Sequence, residues 1–78
     1  MSPEIPLTDL EPNSYGVISS YRISTDHYHR LNEMGFVEDS KVAMIRKQGR
    51  HPVIIGVAGT RYAISRELAD NIYVRRVD

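Results

Sequence analysis

The chain has 78 residues, of which 41% are hydrophobic and 26% charged, and this is the composition of one small globular domain whose single core is only just sufficient. It contains no cysteine, which excludes a disulfide framework and any thiolate metal site and suits a reducing cytoplasm. Ten basic and ten acidic side chains cancel, which argues against a nucleic-acid-binding protein, because such proteins usually carry a basic excess.

The beginning of the chain predicts a lead-in and a first strand. Residues 1–6 contain two prolines and little periodicity, so we interpret them as a flexible lead-in to a single domain over residues 7–78. A short segment with two leucines three positions apart comes next, and a turn follows it. Residues 15–23 then alternate in a pattern that predicts a strand with both faces partly apolar.

A short helix is predicted over residues 26–34. Ser24, Thr25 and Asp26 are good N-cap residues, and apolar side chains then recur at every third position. Gly35 is predicted to end the helix in the left-handed conformation, which only glycine adopts without cost. In such a stop Phe36 contacts Leu31, since these residues occupy the positions that a Schellman motif brings together.

The second half of the chain alternates between strands and turns. Gly59 is predicted to lie in a hairpin turn over residues 58–60, and Ser65 to cap a single helical turn over residues 66–70. Strands are predicted over residues 41–47, 53–57, 61–64 and 72–74, and residues 75–78 are interpreted as a polar tail. This gives a mostly β fold of about five short strands, with one inserted helix and a helical turn before the last strand. A small barrel would remove exposed strand edges, and the pattern alone does not separate an SH3-like barrel from an oligonucleotide-binding barrel.

No pattern for catalysis or for a cofactor is present. The sequence lacks a nucleophile elbow, a phosphate-binding glycine loop and zinc-ligand spacing, so we expect no enzymatic activity and no cofactor. His27 and His29 are two apart, which points them about 200° apart on a helix, and His51 lies in a predicted loop. We therefore expect no metal site from these histidines.

The large apolar side chains around the helix have two interpretations. Tyr28, Leu31, Met34 and Phe36 are by default core residues, yet a lone helix on a barrel often has more apolar surface than the barrel covers. Such a remaining patch would bind a partner, with Tyr28 and Met34 as its partly exposed members. The basic loop over residues 47–52 is the alternative contact surface.

The order of these motifs resembles the FeoA family of small cytoplasmic accessory proteins in bacterial ferrous iron uptake. The family pattern runs from two leucines and a glycine-hydrophobic strand, through an arginine-leucine helix with a glycine stop, to a closing alanine, isoleucine and valine. The matching residues are Leu7, Leu10, Gly16, Val17, Ile18, Arg30, Leu31, Met34, Gly35, Phe36, residues 42–46, Pro52, Gly59, Ala69, Ile72 and Val74.

The resemblance implies an SH3-like barrel without enzymatic activity that acts on a protein partner in the cytoplasm. That partner would be FeoB, the membrane protein with a cytoplasmic GTP-binding domain through which ferrous iron enters. Two alternatives stay open: the related SH3-like regulatory domain of iron-dependent repressors of the DtxR type, and a small-barrel nucleic-acid-binding module. No apolar run approaches the about 20 residues that span a bilayer, and no signal peptide is visible at Met1.

Overall fold

The computed structural model describes residues 3–77, which form a single sheet with two helices. A 3-10 turn over Leu7–Asp9 follows the first strand. The strands are β1 (Glu4–Pro6), β2 (Tyr15–Tyr21), β3 (Lys41–Arg46), β4 (Val53–Val57), β5 (Thr60–Ile64) and β6 (Ile72–Val77), and the helices are α1 (Thr25–Met34) and α2 (Arg66–Ala69). None of the helices in this part of the chain is long and apolar enough to cross a membrane.

The sheet is antiparallel throughout and has the strand order β1-β6-β2-β3-β4-β5. The register shifts between Ile18 and Ser20 in β2 and between Met44 and Arg46 in β3, and such bulges bend a strand and increase its twist. The buried side chains of β2 to β6 belong to one cluster, so the sheet curls around a common core. The predicted mostly β class, with an inserted helix and a helical turn before the last strand, is confirmed.

The core consists of apolar side chains, and the buried residues of the described chain include no polar or charged ones. Two-residue alternation along β3 and β4 places one side chain inside and the next outside, which is the pattern of a half-buried sheet. The core residues are Leu7, Leu10, Ile18, Leu31, Phe36, Val42, Met44, Val53, Ile55, Val57, Ile64, Ala69, Ile72 and Val74.

The two chain ends differ from the prediction. The prediction of a flexible lead-in over residues 1–6 was wrong for Glu4–Pro6, which pair with β6. The prediction of a polar tail was wrong for residues 75–77, which extend β6. Residues 75–77 are exposed and form a strand through backbone pairing with β2, whereas β1 pairs with β6 and also packs the partly buried Ile5 against the core. The parts of both interpretations that concern Met1, Ser2 and Asp78 lie outside the described residues.

The turn between β4 and β5 is the predicted hairpin. Val57 pairs with Thr60, so the loop has two residues, Ala58 at φ 51° and Gly59 at φ 78°. Two consecutive positive φ values are typical of a type I′ turn, whose twist matches that of the flanking strands. Gly59 therefore has the turn role that the sequence predicts.

Candidate functional site

Helix α1 begins at a side-chain cap. The Ser24 hydroxyl accepts a hydrogen bond from the backbone N–H of His27 at 3.2 Å, and the Ser24 carbonyl accepts one from the N–H of Tyr28 at 2.9 Å. The first of these bonds satisfies an N–H that has no partner within the helix, and the second is the first regular backbone bond of the helix. Of the three candidate cap residues in the sequence, Ser24 is the one used.

Helix α1 ends in a Schellman motif at Gly35, as predicted. Gly35 has φ 102°; its N–H donates to the Asn32 carbonyl at 3.0 Å, and the Phe36 N–H donates to the Leu31 carbonyl at 2.9 Å. These are the two bonds that define the motif. Leu31 and Phe36 are both buried in the core, so the stop fixes the helix on the barrel.

The four residues proposed as a partner-binding stripe do not form one surface. Leu31 and Phe36 are 2% and 0% exposed, which removes them from any contact surface, whereas Tyr28 is 36% exposed and Met34 is half-buried. On an α-helix Tyr28 and Met34 lie about 60° to either side of Leu31. They therefore occupy opposite flanks of the buried stripe, and only Tyr28 is among the exposed large apolar residues.

Tyr28 forms one wall of a surface hollow between α1 and the end of β2. Its ring packs edge-on against the Tyr21 ring, with 5.2 Å between centroids, and the Tyr21 hydroxyl donates to the Phe36 carbonyl at 2.7 Å. The hollow has a volume of about 350 Å³ and is bordered by Ser20, Tyr21, Ile23, Thr25, Tyr28 and Glu38. Two rings and one aliphatic side chain lie here beside two hydroxyls and a carboxylate, so the hollow can bind a partner side chain that has an apolar part and a hydrogen-bond donor.

Burial, together with the smaller effects of the neighbouring Tyr28 and Glu38, raises the pKa of the Tyr21 hydroxyl to about 12. Tyr21 therefore stays protonated at physiological pH and keeps its bond to the carbonyl of the helix stop. Tyr21 holds the Tyr28 wall and the residues after Gly35 together, so it positions the hollow.

Glu38 borders this hollow and Val37 precedes it in the chain, and both are absent from the stripe that the sequence predicts. Val37 is 41% exposed and lies between Phe36, whose carbonyl bonds Tyr21, and Glu38, which borders the hollow. A signal was available: Phe36 must point into the core in a Schellman stop, so the next side chain points away from it. We define the Tyr28 surface as Tyr28 and Glu38, which border the hollow, and the exposed Val37 next to Glu38 in the chain.

The other candidate sites are dispersed. His27, His29 and His51 are exposed, and residues 3–77 contain no group of three or more His, Cys, Asp or Glu side chains that could hold a metal ion. In the basic loop, Lys47 is half-buried and its ammonium donates to the Thr8 carbonyl at 3.0 Å. This bond ties Lys47 to the 3-10 turn after β1, so its ammonium is less available to a partner.

Comparison with solved structures supports the fold. A crystal structure of an iron uptake regulatory protein, FeoA, superposes with a TM-score of 0.88 at 25% identity, covering 96% of this chain and all of that one. The zinc complex of Stenotrophomonas maltophilia FeoA, a prokaryotic SH3 domain protein, gives 0.75 at 29% identity over 87% of this chain and 86% of that one. A manganese-dependent transcriptional repressor gives 0.86 at 11% identity over 99% of this chain and 44% of that one, which shows a shared fold alone.

These likenesses resolve the choice that the strand pattern left open, because the barrel is SH3-like. No curated protein matches the chain significantly. The family model of the FeoA domain matches residues 5–76, which is nearly the whole chain. The family consists of small accessory domains associated with ferrous iron transport and is not known as an enzyme family. The chain belongs to the FeoA family.

Proposed function

We propose that this protein is a non-enzymatic cytoplasmic accessory protein of bacterial ferrous iron transport that binds the cytoplasmic GTPase part of a FeoB membrane transporter. The proposal extends the association of the family with iron transport to a protein partner and a contact surface. The observation that carries it is the Tyr28 surface, in which an exposed aromatic side chain of α1 borders a hollow, while Leu31 and the half-buried Met34 pack the same helix against the core.

The charge of the chain supports recognition of this kind. Because the net charge is zero, long-range steering of a charged partner is weak, and affinity should come from a small apolar centre with a polar rim. Tyr28 supplies the centre, and Glu38 borders the same hollow. Tyrosine is one of the residue types that most often dominate the energy of an interface.

The test compares two variants of α1. Tyr28→Glu should weaken association with the cytoplasmic part of the FeoB-like transporter from the same genome by about 1–3 kcal/mol, the range for an interface anchor. Arg30→Glu is the matched control, because Arg30 is exposed on the same helix, about 200° around its axis, and the substitution changes the charge more than Tyr28→Glu does. Thermal melts establish that both variants fold.

Three outcomes are informative. Weakening by Tyr28→Glu alone supports the proposal. Equal weakening by both variants means that added negative charge and not the Tyr28 surface is responsible. Wild-type affinity for both variants, and also for a Met34→Glu variant that changes the other flank of α1, places the contact outside this helix and overturns the proposed surface.

A further inference from the structure

The basic side chains are segregated along the chain. Residues 41–64 contain Lys41, Arg46, Lys47, Arg50 and Arg61 and no acidic residue, whereas the rest of the chain has five basic and ten acidic ones. Strands β3, β4 and β5 all lie within this segment and are adjacent at one end of the sheet. A protein with zero net charge thus has a basic sheet end.

Strand β5 is the last strand at that end, and its outer edge has free backbone groups. In a two-residue hairpin the pair that closes the turn, here Val57 and Thr60, exchanges hydrogen bonds, and alternate pairs along the ladder do the same. The N–H and C=O groups of Arg61 and Ala63 consequently point away from β4. Both residues are exposed, and their edge is open to a further strand.

The face of the sheet beside this edge presents a cationic side chain and an apolar contact surface. Arg61 is paired with Gly56, which has no side chain, and Ala63 is paired with the half-buried Ile54. Next to Ala63 a hollow of about 370 Å³ is bordered by Ile54, Pro52 and the Arg46 side chain, among others. A strand added to β5 would place alternate side chains beside Arg61 and beside Ala63.

The opposite end of the sheet lacks these properties. Strand β1 has three residues, includes a proline, which blocks strand addition, and carries the acidic Glu4, whose carboxylate is 3.9 Å from the Arg75 guanidinium. Self-pairing of two β5 edges is disfavoured, because it would bring the Arg61 side chains of both copies close together. The fitting occupant of the β5 edge is therefore a strand of the opposite charge.

We propose that the β5 edge binds an extended acidic peptide segment of a partner protein by strand addition. The backbone of the segment bonds the free groups of Arg61 and Ala63, one of its carboxylates pairs with the Arg61 guanidinium, and an apolar side chain two residues away covers Ala63 and Ile54. This site lies on a different element from the Tyr28 surface and does not depend on the function proposed for that surface.

The test uses a synthetic probe and not the transporter, so its outcome is separate from that of the α1 variants. The isotope-labelled chain is titrated with a capped peptide of alternating glutamate and valine and followed by heteronuclear NMR. Saturable shifts of the Arg61 and Ala63 amides are expected, and the same peptide with lysine in place of glutamate should produce none.

Two variants separate the charge from the backbone edge. Arg61→Glu should weaken the glutamate–valine peptide at least about tenfold, because it replaces an attractive charge pair by a repulsive one, whereas Arg50→Glu in the neighbouring loop is the control and should retain more affinity. Ala63→Pro removes an outward N–H without breaking a bond to β4 and should abolish the shifts at this edge.

Four results would overturn the proposal. The first two are the absence of saturable shifts at β5 and shifts confined to the Tyr28 surface. The third is a concentration-dependent shift at β5 without peptide, which indicates pairing of two copies. The fourth is tighter binding of a single-stranded oligonucleotide than of the acidic peptide at the same residues.

Discussion

The stop at the end of α1 can be tested by adding one methyl group. A Cβ at position 35 would lie 3.0 Å from the Ala58 Cβ and 3.7 Å from a Val57 methyl group, and Gly35 has φ 102°. Left-handed backbone costs an L-residue about 1–2 kcal/mol, and the 3.0 Å contact forces the β4–β5 turn to shift. We expect Gly35→Ala to destabilise the fold by about 2 kcal/mol.

Gly59 provides the matched control. It has φ 78°, and a Cβ there would meet no atom within 4 Å, so Gly59→Ala has the backbone cost without the contact. We expect about 1 kcal/mol for this control, and since 1 kcal/mol corresponds to roughly 4–8 °C in a domain of this size, Gly35→Ala should lower Tm about twice as far.

A double variant isolates the contact. Ala58→Gly removes the opposing Cβ and also relieves a positive φ of 51° at a non-glycine residue. In that background Gly35→Ala should cost no more than Gly59→Ala does. Thermal and denaturant unfolding of wild type, Gly35→Ala, Ala58→Gly and the double variant gives the coupling energy between positions 35 and 58. An unchanged Tm for Gly35→Ala, or a cost that Ala58→Gly leaves the same, would refute this explanation of the helix stop.

Two further predictions concern the surroundings of α1, and a third concerns metal binding. The folded-state pKa of Tyr21 is raised to about 12 from an ordinary value of 10.0, so the unfolded chain loses this proton first. The free energy of unfolding should therefore fall as pH rises from 10.0 towards 12. Denaturant unfolding should show this fall in wild type and not in Tyr21→Phe. Ser24→Ala should cost about 1 kcal/mol in thermal unfolding, through loss of the N-cap, and a cost near zero would mean that the cap is dispensable. Calorimetric titration of the anaerobic protein should detect no tight ferrous ion binding; micromolar binding lost on replacing His27, His29 or His51 would contradict this prediction.

The local elements could be predicted from the sequence where short-range chemistry determines them. Gly35 and the Ala58–Gly59 turn have positive φ values, and Ser24 and Ser65 cap helices through bonds to residues three positions away. Each of these depends on a few consecutive residues. The bounds of β3, β4 and α2 accordingly agree with the predicted ones to within a residue.

Features that depend on distant residues could not be predicted in this way. Strand β1 forms because Ile5 pairs with Val74, which lies near the other end of the chain. A strand of three residues is too short to show a periodicity from which it could be predicted. The hollow beside Tyr28 depends on the bond from the Tyr21 hydroxyl to the carbonyl of Phe36, across 15 positions. Helical spacing placed Tyr28 and Met34 near Leu31, but which flank stays exposed is decided by the barrel.

The central claim is that the Tyr28 surface contacts the GTPase part of the transporter. The most direct test is a heteronuclear NMR titration of the isotope-labelled chain with the unlabelled cytoplasmic part of the FeoB-like protein. The account predicts that the amides of Tyr28, Val37 and Glu38 shift or broaden first, and that the Tyr28→Glu variant needs a higher partner concentration for the same changes. Absence of any change at saturating partner, or changes confined to the loop over residues 47–52, would contradict it.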